Sequence, residues 1–172
     1  MKNIKVNILD PKSIDKAIKE LNKYKKEVEN KTVALAQRLV SLGADIVRIK
    51  IVSLGAIDTG ELLSSVDGFF DSSTNTGYIR VTNDHAAFVE FGTGVQGDPK
   101  YPNAEYLAKA SWEYAIGKNI FATGDGKIGW FYPTDDGGVR FTEGLMPRPF
   151  MYNTVVELER QYMQIAKEVF GK

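Results

Sequence analysis

Between Pro11 and Ser53 an alternating spacing of four and three residues runs through Ile14, Ile18, Leu21, Lys25, Val28, Thr32, Leu35, Leu39, Leu42, Ile46, Ile49 and Ser53. Nine of these twelve positions are apolar, and a helix is the conformation that brings such a spacing onto one side of the chain. The pattern predicts a helix of about 40 residues, roughly 60 Å long at 1.5 Å per residue. Asp10 before Pro11 reads as its N-cap with proline at the first helical position. The first half carries a narrow apolar stripe among lysines. The second half adds Val33, Ala36, Val40, Val47 and Val52, so it is expected to pack on the core while the first half projects as an arm. A break near Asn30 or Gly43 would give two helices instead.

The remaining chain reads as smaller pieces. Ile4, Val6 and Ile8 alternate with polar residues and predict a short strand with one buried face. After the long helix, Thr59 is positioned to cap a short turn running to Ser65. Val66 to Phe70 and Gly77 to Val81 predict two strands joined by the polar loop Asp71 to Thr76. The segment His85 to Gly94, HAAFVEFGTG, reads as a further strand around Phe88 to Phe91 that would complete a small antiparallel sheet, with Gly92 and Gly94 allowing the turn after it. Glu90 is its one carboxylate. Residues 95 to 145 hold a helical stretch near Ala104 to Ala115 and aromatic strand material at Trp130, Phe131 and Tyr132. They read as an insertion on one domain spanning 1–172. Pro149 opens a last helix in which Met151, Val155, Leu158, Tyr162, Ile165 and Val169 repeat the same spacing. The fold class expected is α+β: a small antiparallel sheet packed with a long N-terminal helix and a C-terminal helix.

Composition removes several classes of chemistry. The 172 residues are 43% hydrophobic, enough for a real core, and include no cysteine. Disulfides, thiol catalysis and cysteine-based zinc sites are thereby excluded. No window approaches the roughly 18 uninterrupted apolar residues of a membrane helix, and MKNIKVNILD lacks a secretory apolar region. A cytoplasmic origin is the expectation. Net charge is zero, yet residues 1–50 hold 12 Lys/Arg against 6 Asp/Glu and residues 51–147 hold 6 against 13. Either this is a solvated lysine-rich helix beside an acidic surface, or the basic arm of one copy lies on the acidic body of the next. With no net positive charge and only Tyr24 interleaved among the lysines, specific nucleic-acid binding is not expected.

Short motifs that resemble chemistry fall in the wrong surroundings. Gly124 to Gly129 matches GxGxxG, but Trp130, Phe131, Tyr132 and Pro133 follow where a dinucleotide site needs a helix. It reads as a glycine-rich hairpin turn. Asp135-Asp136-Gly137-Gly138 lacks the ligand spacing of a calcium loop and reads as a type I′ turn. His85 is the single histidine, so no two-histidine metal site or Cys/His pair can be assembled within one chain. Asp84, His85 and Glu90 are the residues a small hydrolase or metal-dependent enzyme would have to use. No catalytic, cofactor-binding or metal-binding residue is expected.

Three separated segments, D58-T-G-E-L-L-S-S-V66, A86-A-F-V-E-F-G-T-G94 and M146-P-R-P-F-M151, together resemble the gene-ten-product type of head-tail connector or tail-completion protein, the neck proteins of lambdoid-like tailed phages and prophage-derived particles. The matching positions are Thr59, Gly60, Leu62, Ser65 and Val66, then Ala87, Val89, Glu90, Phe91, Gly92, Thr93 and Gly94, then Pro147, Arg148, Pro149 and Phe150. Gly55-Ala56-Ile57 replaces a proline common before the first segment, Leu63 replaces an arginine, and the stretch between Gly94 and Met146 is longer than usual. The resemblance implies a structural, non-enzymatic subunit without cofactor. Such subunits form a homo-oligomeric ring between tail tube or terminator and head-connector or collar proteins, first in the host cytoplasm and then in the virion or phage-tail-like particle, with no membrane partner. An unrelated adaptor sharing a long helix and a small sheet is the other non-enzymatic reading. Trp130, Phe131 and Tyr132 either form a docking surface or close a local core. Glu90 and Arg148 are expected to form a buried or half-buried ion pair tying the sheet to the last helix, the alternative being that each caps backbone groups separately.

Overall fold

The computed structural model describes residues 3–94, 96, 121–134 and 136–171; the helical stretch expected near 104–115 lies outside them. Helix α1 is continuous over Pro11–Ser53. Its length follows from intact signals at both ends. Asp10 Oδ1 accepts from the Lys12 N–H at 3.0 Å beside Pro11, and at the far end Gly55 N–H donates to Val52 C=O while Ala56 N–H donates to Ile51 C=O. These last two bonds, with Gly55 at φ 64°, are a Schellman closure. No break occurs at Asn30 or Gly43. Gly43 is buried, and a Cβ there would lie 2.1 Å from Ile79 Cδ1 and 3.0 Å from Leu158 Cδ1. The glycine serves close packing within an unbroken helix.

The two halves of α1 differ as the pattern predicts. Leu35, Val40, Ala44, Ile46, Val47 and Ile51 are buried, whereas over residues 11–30 Ala17 alone is, and Ile14, Ile18 and Leu21 are 37, 50 and 55% exposed. Against the second half lies α4, Phe150–Phe170. Phe150 joins Val47 and Ile51 in the core, Leu158 approaches Gly43, and Glu168 pairs with Arg38, so α4 runs antiparallel along α1. The Gln164 amide and then the Arg38 guanidinium hold the Glu168 carboxyl below its ordinary value. The apolar stripe expected on α4 is corrected in part: Val155 and Tyr162 are 52 and 45% exposed, and Phe150, Thr154 and Ile165 are the buried residues. Thr154 tolerates burial because its hydroxyl donates to the Phe150 carbonyl at 2.7 Å.

Across α1 lies the expected hairpin, β1 (Val66–Asp71) and β2 (Thr76–Val81), paired antiparallel from Val66↔Val81 to Asp71↔Thr76. It follows a short helix α2, Glu61–Ser64. Among the described residues the hairpin gains no third strand. Residues Ala86–Phe91 form a helical turn, α3, in place of the predicted strand. As a helix the segment buries Ala86 and Glu90 four residues apart, which a strand also aligns; the chain then turns at Gly92 into β3, Thr93–Gly94. Pairing then goes elsewhere. β3 pairs with β7 (Gly144–Leu145), and β4 (Phe121–Ala122), β5 (Ile128–Pro133) and β6 (Val139–Thr142) form a separate antiparallel sheet. The strand expected over Ile4 to Ile8 is also absent: these residues are irregular, then a turn, and they pair with none of the described strands.

The glycine-rich motif proves to be the β4–β5 connection, and the β5–β6 connection repeats its design. In each a threonine (Thr123, Thr134) accepts from a glycine N–H three residues on (Gly126 φ 83°, Gly137 φ 79°), and its own N–H closes the loop on Lys127 or Gly138 C=O. The second loop is therefore a turn with a glycine bulge, not the two-residue type I′ turn expected. The threonine hydroxyls donate to Asp125 and Asp136, which chiefly holds both carboxyls below the ordinary 3.8.

The core comprises Ala44, Val47, Ile51, Ala56, Leu62, Val66, Ala86 and Phe150. No described helix is long and apolar enough to cross a membrane. Replacing Ile51, fully buried, by alanine is expected to lower the unfolding free energy by about 2–5 kcal/mol, while Ile18→Ala on the arm changes it by less than about 0.5 kcal/mol; urea denaturation of both variants measures the contrast.

Candidate functional site

Helix α4 opens without a cap of its own. Pro149, at φ −75° and ψ 70°, offers no side-chain acceptor, and the first turn of the helix carries no acidic residue. The Phe150 N–H turns back onto Arg148 C=O at 2.8 Å, an inverse γ-turn centred on Pro149. Two further N–H groups then face the buried end of the helix, and Glu90 meets both: Oε2 accepts from Met151 N–H at 2.8 Å and Oε1 from Tyr152 N–H at 3.0 Å. Asn153 N–H closes on Pro149 C=O. Because Pro149 has no N–H, the helix start has three orphan donors, Phe150, Met151 and Tyr152, and all three are thus satisfied. Glu90, only 4% exposed, is tolerated in the interior because both oxygens are bonded and the positive end of the helix faces them.

The expected Glu90–Arg148 ion pair is therefore corrected: Glu90 caps the start of α4 alone, and the Arg148 side chain caps no backbone group among the described residues. Among the described residues the Arg148 guanidinium takes part in no ion pair; its backbone N–H instead reaches Val89 C=O at 2.9 Å. α3 and the start of α4 are still tied together at this place, by the Glu90 carboxylate and by the main-chain bond from Arg148 to Val89.

The other motif residues converge on the same joint. Leu62 is buried in the core with Val66, Ala86 and Phe150, and Leu63, Val89 and Met151 pack against it. Thr59 Oγ1 accepts from Glu61 N–H at 3.4 Å, ahead of a helix whose N-cap is Gly60 at φ 86°. The Ser65 hydroxyl donates to Leu62 C=O, and the Ser65 carbonyl accepts from Thr82 N–H. Thr93 is buried, with Oγ1 accepting from Leu145 N–H at 3.0 Å. Gly92, at φ 75° and ψ 175°, occupies backbone space open essentially to glycine, and a Cβ there would stand 2.6 Å from Leu145 C=O and 2.8 Å from Pro147. Phe91 is half-buried at the end of α3, and Pro147 and Arg148 line an open cleft of about 670 Å³ with Leu54, Lys127, Phe141 and Met146.

The aromatic triplet divides. Trp130 is half-buried, its ring 2.4 Å from where a Gly94 Cβ would stand, whereas Phe131 and Tyr132 are 57 and 40% exposed. Phe131 meets its cross-strand partner Phe141 edge to face at 5.2 Å. Asp84 and His85 lie exposed before α3, with His85 N–H bonded to Asn83 Oδ1. Glu90 points into the joint, so the three residues an enzyme would use are not assembled. The described residues hold no group of three or more His, Cys, Asp or Glu placed for a metal ion. The sequence reading missed the amides of Met151 and Tyr152 as the partners of Glu90; the signal available was a helix start, Pro149-Phe150, without a capping side chain.

No family model, curated protein or solved structure matches the chain.

Glu90→Ala, which strands two buried N–H groups, is expected to cost about 2–4 kcal/mol, and a double-mutant cycle with Arg148→Ala is expected to show side-chain coupling below about 0.5 kcal/mol. Gly92→Ala is expected to cost about 2–4 kcal/mol through backbone strain and the clash with Leu145 and Pro147, seen as a lowered denaturation midpoint.

Proposed function

We propose that the chain is a structural, non-enzymatic neck protein of a tailed phage, a prophage or a phage-tail-like particle. In this reading it forms a ring that joins the tail tube to the head connector or completes the tail. One observation carries the reading: residues 58–66, 86–94 and 146–151, the segments that resemble the neck-protein pattern, meet in a single joint although long stretches of chain separate them. Their chemistry is spent on architecture, since the buried Glu90 carboxylate caps a helix and the glycines and prolines set backbone direction.

The surface fits a subunit that works through contacts. Ile14, Ile18 and Leu21 leave a helical stripe in water, and Phe131, Tyr132, Leu145 and Met146 do the same near the cleft. Apolar area of this kind is what an assembly covers. The arm stripe suits contact with a like subunit, and the region around β5–β7 suits docking to tail-tube, terminator, head-connector or collar proteins. Heterologous contacts closing by rotation make a ring.

Measuring mass in solution, with electron micrographs of particles, tests this. A closed multimer that enters tail particles is the expected outcome, and a chain that stays monomeric at every concentration and is absent from particles overturns it.

A further inference from the structure

An aspartate followed by glycine is a chemically weak point of any chain in water. With no Cβ on the second residue, its backbone nitrogen can reach the aspartate Cγ; a C–N bond forms, water leaves, and a succinimide ring results. Water then opens the ring at either carbonyl. One opening restores the aspartate, and the other gives an isoaspartate whose main chain runs through Cβ and Cγ. Water lost in the first step is regained in the second, so no other reactant is needed.

The chain holds three such pairs, Asp67–Gly68, Asp125–Gly126 and Asp136–Gly137, and no Asn–Gly. Two of them form the tips of the β4–β5 and β5–β6 loops, the stretches that imitate phosphate and calcium motifs in sequence. Packing does not protect these tips. Asp125, Gly126, Asp136 and Gly137 are exposed, and a Cβ on Gly126 or Gly137 would meet no atom within 4 Å.

Hydrogen bonds engage both reacting groups instead. On the electrophile, the Thr123 hydroxyl donates to Asp125 Oδ1 and the Thr134 hydroxyl to Asp136 Oδ1, and Asp136 Oδ1 also accepts from Gly138 N–H at 3.1 Å. On the nucleophile, Gly126 N–H donates to Thr123 C=O and Gly137 N–H to Thr134 C=O, both at 2.9 Å. A single threonine thus holds the carboxylate with its side chain and the attacking nitrogen with its main chain. The hydroxyl favours the anion, the form of the carboxyl group that gives up an oxygen least readily. The third pair lies inside β1, where Asp67 Oδ2 accepts from Arg80 Nε and Nη2 at 3.2 and 3.0 Å and the ladder sets Asp67 and Gly68 against Arg80 and Ile79.

We propose that Asp67, Asp125 and Asp136 are the isoaspartate-forming sites of this chain, kept closed in the folded state by Arg80, Thr123 and Thr134 and opened when those bonds are lost. The chemistry is the same whether or not the chain forms a ring. Both loops flank β5, which carries Trp130, Phe131 and Tyr132, so a methylene inserted at either tip shifts that strand against its neighbour.

The test holds the folded chain, the chain unfolded in urea, and the variants Thr134→Val and Thr134→Ser at neutral pH below the denaturation midpoint. Isoaspartate at each site is followed over time by mass spectrometry with electron-transfer fragmentation, which distinguishes the isomers. Accumulation at Asp125 and Asp136 is expected to be about fivefold or more slower in the folded than in the unfolded chain. In folded Thr134→Val the rate at Asp136 is expected to rise about fivefold with Asp125 unchanged, while Thr134→Ser stays near the parent. A folded chain that isomerises at 125 and 136 as fast as the unfolded one overturns the proposal. So does a Thr134→Val chain, folded by circular dichroism, that keeps the parent rate at Asp136, or a Thr134→Ser chain as fast as Thr134→Val.

Discussion

A carboxylate on a helix end holds this molecule together. Glu90 bonds the first free amides of α4 from 61 and 62 residues away in sequence, and the geometry around it follows from that one requirement. For Glu90 to reach the helix start, α3 has to end beside residues 148–152, and Val89 and Arg148 meet there through their main chains. Gly92 then has to turn the chain sharply, which delivers Thr93 to Leu145 and closes the small β3–β7 pair. Phe150, set by the same joint, enters the core between Val47 and Ile51. Removing the carboxylate would leave buried donors without partners, a larger penalty than the bonds themselves contribute.

Around this joint the long helix acts as a spine with two distinct jobs. Its C-terminal half is covered by α4 on one side and the β1–β2 hairpin on another, and small residues at Gly43, Ala44 and Gly68 let those elements approach closely. Among the described residues the N-terminal half has no such cover. Its surface ion pairs, Lys25–Glu29 and Lys31–Glu27, are one turn apart and mostly solvated, so they support the helix only weakly. An arm of this length with apolar residues in water is stable within a single chain because the helix is nucleated and anchored from its other end. Its placement away from the core is also what makes it available to a second molecule.

The hairpin loops at 123–127 and 134–138 show local chemistry acting without any reference to the core. Each uses a threonine hydroxyl to hold an aspartate and a glycine at positive φ to close the turn. Asp71 is treated alike by the Ser73 hydroxyl and amide. The result is a set of carboxylates kept ionised at exposed tips, and three of the acids of residues 51–147, Asp71, Asp125 and Asp136, are displayed in this way.

Sequence by itself determined the elements whose signals are local and periodic. The α1 helix from its cap at Asp10, the β1–β2 hairpin, the aromatic strand through Trp130 and the last helix were legible because side-chain spacing, caps and turn residues act within a few positions. So was the α+β class. What tertiary structure alone decided was everything that depends on a distant partner. A six-residue segment such as Ala86–Phe91 satisfies a strand pattern and a helix pattern equally well, and the need to present Glu90 to α4 made it a helix. Glu90 and Arg148 look like an ion pair when only charge is read, but the amides of Met151 and Tyr152 are better placed, and a buried carboxylate goes to the donors that would otherwise be left bare. Asn3–Val6 carries the alternation of a strand, and a strand exists only where another edge is within reach; none of the described strands pairs with this one, which stands at the far end of a 43-residue helix.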